Sequence, residues 1–362
     1  MKKVGIDARL YSQTGVGTYL KNFLHYLEES DTLDVVFYVY LLDKDFDKCD
    51  LPDKKFVKRR ADFLWHSFSE QLGFLMMLYK DNLDLMHFTY FSYPILYFKK
   101  FIATVHDVTP LLFKTGRAST KNSLIYQIKH SVFKIILYTQ VRLAKKIITP
   151  TDYVKEELVK IYGSILNNKI ERIYEGVNWQ LQVEKINGKL EKKYKDFFVY
   201  IGNFYPHKNV ERLIRAFALV ESKQNLILIG PDDFFAGRLK KIVARLRLTN
   251  VKFVDNPTIS DLKFFYSKAK ALVHPSLSEG FGLTLIEAAY CHCPIIASNI
   301  RVFREIFGDS YMSFNPENEK DIASKIKKYL KEGGKFNYEN ALSKCSFSRM
   351  TKETLKIYLD NL

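Results

Sequence analysis

Short apolar runs rich in β-branched residues alternate with helical stretches along this chain, in two separate sets. The first set comprises Val4–Asp7, a helical stretch Val16–Leu27, then Val35–Tyr40, Leu83–Phe88, Phe101–His106 and Ala144–Thr149. It closes with a helix from Asp152 to Ile161, capped by Thr151. The second set comprises Phe197–Gly202, the amphipathic stretch Val210–Val220, Asn225–Gly230, Val251–Val254, Ala271–Pro275 and Cys293–Ser298. Alternation of this kind specifies a parallel sheet with helices on both faces. The stretch between the sets is polar and rich in Lys and Glu up to Asp196, and reads as a hinge. The expected fold is therefore α/β, with two doubly wound parallel-sheet domains facing a central cleft. Ligands of such sheets bind at the carboxyl ends of the strands.

The 362 residues, 47% of them apolar, suffice for two cores. No uncharged apolar run is long enough for a spanning helix. Met1-Lys2-Lys3-Val4 enters a strand at once, with no signal-peptide core, so a cytoplasmic location is expected. Four cysteines suit a reducing compartment. Cys291-His292-Cys293 is too tightly spaced for a zinc knuckle and no second pair follows, so it reads as packing.

The net charge of +16 is uneven. Residues 1–98 hold 12 Lys/Arg against 14 Asp/Glu, whereas residues 99–150 hold 10 Lys/Arg and one acid, Asp107. Aromatic residues interleave this basic block, and the stretch 121–134, which carries Lys121, Lys129 and Lys134, has helical spacing with a basic face. A basic amphipathic helix predicts docking on an anionic membrane surface. A solvated face over an ordinary core stripe is the plain alternative. No zinc-finger or RRM signature supports nucleic acid as a partner.

The most informative segment for function is Ser278-Glu279-Gly280-Phe281-Gly282-Leu283-Thr284-Leu285-Ile286-Glu287-Ala288, which follows an apolar run. Gly280 and Gly282 permit positive φ and close approach of a ligand. The helix that starts at Leu283 has first amides without partners, a natural anion site. Glu279 precedes the turn and Glu287 lies about one helical turn beyond it, so both carboxylates can face one cleft. A ligand with an anionic centre and hydroxyls on both sides fits, and a nucleotide-sugar is one. Thr284 to Glu287 also matches a capping box, which explains Glu287 but not Glu279 or the glycines. Lys208, on the strand-to-helix loop Gly202–Asn209, is placed to meet phosphate as a point charge. Thr14-Gly15-Val16-Gly17 opens the first long helix; it fails as a dinucleotide fingerprint and stands as a glycine-rich turn offering amides. His106-Asp107 ends a strand, and no strained nucleophile elbow accompanies it.

The string 278–288 resembles the E-x7-E motif of retaining glycosyltransferases of the GT-B type, in particular glycosyltransferase family 4. Asp7 and Arg9, Gly202 with Pro206-His207-Lys208-Asn209, Arg142–Thr151, Ile173–Asn178 and Ile295–Asn299 look familial too. The resemblance implies two Rossmann-like domains: an acceptor side at 1–176, a linker at 177–196, a donor domain at 197–346, and a C-terminal helix at 347–362 crossing back. It implies Glu279, Lys208 and His106 as catalytic residues. Lys208 would hold the donor diphosphate, Glu279 the sugar hydroxyls and Glu287 the ribose. Gly15, Gly17, Gly202, Asn203, Gly280, Phe281, Gly282, Leu283 and Thr284 would line the donor, and His106 with Asp107 the acceptor. The implied activity is metal- and cofactor-independent transfer of a hexosyl group, mannosyl or glucosyl in type, from a nucleotide-diphosphate sugar to a saccharide acceptor. The basic block 99–150 adds the expectation that the acceptor is lipid-linked, at the inner face of the membrane, in surface polysaccharide synthesis. His207 stands where many relatives carry Arg, His292 where Gly is common, and Asp255-Asn256-Pro257 where a glycine loop lies near the base. A nucleotide-sugar epimerase on the same fold and a non-catalytic nucleotide-sugar-binding subunit are the rival readings.

Overall fold

A computed structural model describes residues 1–30, 34–52, 54–112 and 123–362. The chain divides into two compact units, residues 1–175 with 346–362, and residues 176–345. In the first unit the strands are β1 (Lys2–Asp7), β2 (Val35–Leu41), β3 (Phe56–Arg60), β4 (Leu85–Phe88), β5 (Phe101–Thr104), β6 (Ile147–Thr149) and β7 (Ile170–Arg172). They form one sheet in the order β3-β2-β1-β4-β5-β6-β7, with every pairing parallel. In the second unit β8 (Phe197–Ile201), β9 (Asn225–Ile229), β10 (Val251–Val254), β11 (Leu272–His274), β12 (Ile295–Ser298) and β13 (Met312–Phe314) take the order β10-β9-β8-β11-β12-β13, again parallel. Each sheet reverses its strand order beside its first strand. That reversal makes the switch point where doubly wound sheets hold ligands.

The apolar runs form these strands because both faces of the sheet are covered. All five residues of β8 and all four of β4, β5 and β12 are buried. Three strands have no counterpart among the expected runs. Phe56-Val-Lys-Arg-Arg and Ile170-Glu-Arg are polar edge strands, and Met312-Ser-Phe is only three residues long. Thr151 caps the helix Asp152–Tyr162 by accepting from the Val154 amide at 3.3 Å. Residues 177–196, expected as a linker, are helical in part and lie in the second unit. Asn187 bonds Ser260 and Asp261, and Ser260 bonds the Lys185 carbonyl, all against helix Ile259–Lys268.

The C-terminal helix Phe347–Asn361 belongs to the first unit and packs on helix Thr14–Glu28. Its Tyr358 is fully buried, with ring contacts to Phe23, Phe37 and His87. The Tyr358 hydroxyl lies 2.6 Å from His87 Nδ1, and His87 Nε2 lies 2.7 Å from Thr104. Burial, with a lesser effect from His106, pushes the His87 imidazole down to about 3, so it is neutral in the fold.

Candidate active site

The second unit gathers its chemistry at the carboxyl ends of β8 and β11. The loop after β8 carries Lys208, and the loop after β11 carries Glu279. Lys208 Nζ donates to both Glu279 oxygens, at 2.7 and 2.8 Å. His274, the last residue of β11, donates from Nε2 to Glu279 Oε1 at 3.0 Å. Burial alone would push the Glu279 carboxyl up, but the Lys208 ammonium and His274 outweigh it and hold the group well below the usual carboxylate range. An ammonium has three N–H donors. Two go to Glu279 and one remains for another acceptor.

Backbone geometry fixes this pair. Asn209 sits in the left-handed region, at φ 60°, where it starts helix Val210–Ala218. Its side-chain amide donates to the carbonyls of Pro275 and Pro316, at 3.0 and 2.7 Å. The His207 carbonyl accepts from the Leu277 amide at 2.8 Å. The two loops are thus tied together on either side of the ion pair. His207 is not a second cation. Burial, then the charge of Lys208, pushes its imidazole down to about 4. The buried Nδ1 atoms of His207 and His274 both lack a hydrogen-bond partner among the described residues.

Helix Leu283–Tyr290 begins at Gly282, whose φ of 95° is left-handed and where a Cβ would meet Phe303 at 2.8 Å. Thr284 therefore lies inside the helix, and the capping-box account of Glu287 does not apply. The first bonds onto the Gly282 carbonyl come from Leu285 and Ile286, so the amides at the helix start point away from the intrahelical ladder. Glu287 accepts from the Tyr266 hydroxyl at 2.9 Å. Burial, only partly offset by that bond, pushes its carboxyl up to about 7. Leu283 and Thr284 are half-buried and Phe281 is buried. Gly202, at φ 148°, directly follows β8, and next to it the Asn203 carbonyl accepts from the Tyr200 hydroxyl at 2.6 Å.

The first unit builds a second constellation after β1, β4 and β5. His106 is buried, with Nδ1 3.0 Å from Glu175 Oε1 and Nε2 3.0 Å from the Thr89 carbonyl. A carbonyl only accepts, so Nε2 is the donor to Thr89, and Nδ1 is taken up by the Glu175 contact. Both ring nitrogens are therefore engaged, and a sugar contact through either would replace one of these bonds. Asp107 accepts from the Thr109 amide at 2.8 Å. Arg9 is buried and donates to Asp7 at 2.8 and 2.7 Å and to Glu70 at 2.8 Å. Burial would lower the pKa of its guanidinium, but Asp7 and Glu70 prevail and raise it. Gly15 faces open space, whereas a Cβ on Gly17 would meet the Tyr11 carbonyl at 2.5 Å. Glu70, Glu175, Tyr266 and His274 were not among the sequence candidates. Each acts through a partner that only the fold supplies. Lys121 lies outside the described residues, as does the side chain of Lys129; Lys134 is exposed on helix Ser123–Leu143. Among the described residues no cluster of three His, Cys, Asp or Glu is arranged to hold a metal.

Residues 13–181 match the family described as Glycosyltransferase Family 4, and residues 182–346 match Glycosyl transferases group 1. The O-antigen chain mannosyltransferase RfbU of Salmonella typhimurium is 30% identical over 270 residues, which span 74% of this chain and 71% of that protein. The O-antigen chain mannosyltransferase B of Escherichia coli is 24% identical over 241 residues, 64% of this chain and 61% of its own. Among solved structures, sucrose-phosphate synthase from Thermosynechococcus elongatus superposes with a TM-score of 0.77 at 16% identity, over 99% of both chains. Anabaena HepE, solved with UDP and glucose, gives 0.77 at 14% identity over 99% of this chain and 100% of its own. Identities this low establish the fold alone. The chain belongs to the group 1, family 4 glycosyltransferases, and its architecture is GT-B.

Proposed function

We propose that this protein transfers a hexosyl group, mannosyl in type, from a nucleotide-diphosphate sugar to a saccharide acceptor, with retention at the anomeric carbon. The observation that carries the reading is the Lys208–Glu279 pair, set beside a helix start at the carboxyl ends of β8 and β11. The names of the curated relatives, O-antigen mannosyltransferases, support the sugar and the role in surface polysaccharide synthesis.

In this mechanism the remaining Lys208 N–H and the amides at Leu283 and Thr284 receive the donor diphosphate. They stabilise the charge that grows on it as the glycosidic bond breaks. Glu279, held ionised, accepts from hydroxyls of the donor sugar, and Glu287 accepts from the ribose diol. The acceptor hydroxyl oxygen attacks the anomeric carbon on the face the diphosphate leaves. The carbon–oxygen electron pair goes to the phosphate, and the hydroxyl proton follows it. Lysine and helix amides take the role a metal has elsewhere, so none is required. His106 and Asp107 mark the acceptor side. The acceptor is lipid-linked and the enzyme works at the inner face of the membrane.

An NMR time course with GDP- and UDP-sugars, with and without an oligosaccharide acceptor, tests this reading. Acceptor-dependent release of nucleoside diphosphate and a product with the donor's anomeric configuration are expected. Donor isomerised without acceptor, or an inverted product, would overturn the reading.

A further inference from the structure

Large apolar side chains face water along one stretch of the first unit. Relative exposures are 60% for Leu64, 90% for Phe68, 61% for Leu72, 67% for Met76, 57% for Leu96 and 72% for Phe98. They are not stray residues of an unfinished core. The helical stretch that carries Leu72 and Met76 already has a core face, with Phe74 and Leu78 buried. Phe68, Leu72, Met76 and Lys80 recur every four residues, so they form a second stripe on the opposite side.

Side-chain bonds join this stripe to the loop before β5. The Gln71 amide donates to the Tyr93 carbonyl and its oxygen accepts from the Ile95 amide. The Tyr79 hydroxyl donates to the Leu96 carbonyl and accepts from the Phe98 amide, both at 3.1 Å. Leu96 and Phe98 thus flank the stripe. At its other end His66 meets Phe133 edge-on at 6.0 Å, beside exposed Val132 and Lys134.

The exposed charges beside this surface are mainly positive. Lys80 and Lys100 are exposed, and Lys99 lies over the Tyr79 ring. From Phe63 to Lys100 the acids are Glu70, Asp81 and Asp84. Glu70 is buried against Arg9, Asp81 is buried against Arg59, and Asp84 is bonded to the Lys3 amide. Asp62, at the start of the loop, is exposed.

We propose that Phe68, Leu72, Met76, Leu96 and Phe98, with the flanking lysines, form an interfacial docking surface for an anionic lipid bilayer. Apolar side chains enter the acyl boundary while lysines meet the headgroup charge. No helix among the described residues is long and apolar enough to cross a membrane, so attachment through this surface lies in the plane of the interface. The surface centres on a different segment from the basic block 99–150. It rests on the lipid-linked-acceptor reading for its purpose, but not for its physics.

The test is cosedimentation of the full chain with vesicles of phosphatidylglycerol in phosphatidylcholine. Wild type is expected to bind these at low salt and to stay in solution with phosphatidylcholine alone. The triple variant Phe68→Ser, Met76→Ser, Phe98→Ser is expected to lose about tenfold in partitioning, as is Lys80→Glu with Lys99→Glu. Phe68, Met76, Phe98 and Lys80 are exposed and Lys99 is bonded only to Asn82 at the surface, so melting temperature and transfer to a short soluble acceptor are expected to hold. Leu72→Trp is expected to shift its emission to the blue on vesicles. Wild type that ignores the anionic vesicles overturns the proposal, and so does sedimentation without the tryptophan shift. A solution dimer split by the triple variant would make the face a subunit contact instead. Vesicle binding without sugar transfer would overturn the proposed reaction and leave this surface standing.

Discussion

Lys208 and Glu279 hold each other in a two-pronged ion pair, 2.7 and 2.8 Å across, before any ligand arrives. Their side chains are only 16% and 10% exposed, so neither charge is well solvated alone. Removing one partner of a desolvated pair costs more than the pair itself contributes.

Lys208→Ala is therefore expected to lose about 2–4 kcal/mol of transition-state stabilisation. It should also lower the melting temperature, because Glu279 is left uncompensated. Glu279→Gln alone should spare nucleoside diphosphate binding and impair use of the intact donor. The double variant should lose less than the sum of the singles. Additive losses in kcat/KM and stability would mean that the pair does not act as a unit. The pair also sets an acid limit. A carboxyl held low contributes stability above its ordinary value of 4.5, and that contribution drains away as pH falls below it. Glu279→Gln should flatten stability against pH in that range, measured by denaturant titration.

Glu287 behaves oppositely. With its carboxyl at about 7, much of it is protonated at neutral pH in the free protein. A ribose diol donates hydrogen bonds, so it binds the ionised form. Nucleoside diphosphate binding at pH 7 should release a fraction of a proton and tighten from pH 6 to 8. Calorimetry in two buffers of different ionisation enthalpy reads this directly. Glu287→Gln should weaken binding by about 1.5–3 kcal/mol and remove the proton release. The raised value makes this residue stabilise the fold fully below its ordinary 4.5, an effect lost as pH rises through about 7. Release that persists in the variant would put the proton elsewhere.

If Lys208 and the helix amides are the diphosphate's counter-charge, transfer should persist in excess EDTA. Turnover lost on chelation and restored by Mg²⁺ or Mn²⁺ would rule out this arrangement.

Tyr358 fills the first unit's core between Phe23, Phe37 and His87. Tyr358→Ala should cost about 3–5 kcal/mol through the cavity it leaves. Tyr358→Phe keeps the volume but orphans His87 Nδ1, at about 1–3 kcal/mol. Equal melting temperatures for wild type and Tyr358→Phe would mean that the hydroxyl contributes nothing.

The strands legible in the sequence are those buried on both faces, where apolar continuity is forced. Phe56–Arg60 carries no such pattern because an edge strand tolerates Lys and Arg. The motif Glu279–Glu287 was legible because glycines, carboxylates and a helix start fall within a few residues. Partners far along the chain were not: Glu70 is 61 residues from Arg9, Glu175 is 69 from His106, and Tyr358 is 271 from His87. No local pattern encodes such pairs. Two departures from the family become clear from the backbone. His292 and Asn256 stand at φ 56° and 48°, so the glycine common there meets a left-handed turn that His and Asn also tolerate.

The closing helix also sets an order of assembly. The second unit is one unbroken stretch, 176–345, whereas the first needs residues from both ends of the chain. The second unit can complete its core from its own residues. The first must wait for Phe347–Asn361, although most of it was made earlier. Domains made N-terminal first ordinarily fold in that sequence; here the expected sequence is reversed. Pulse proteolysis of chains arrested on a tunnel-length linker fused after residue 345 or after residue 362 would reveal it as protection of the second unit ahead of the first, and simultaneous protection would refute it.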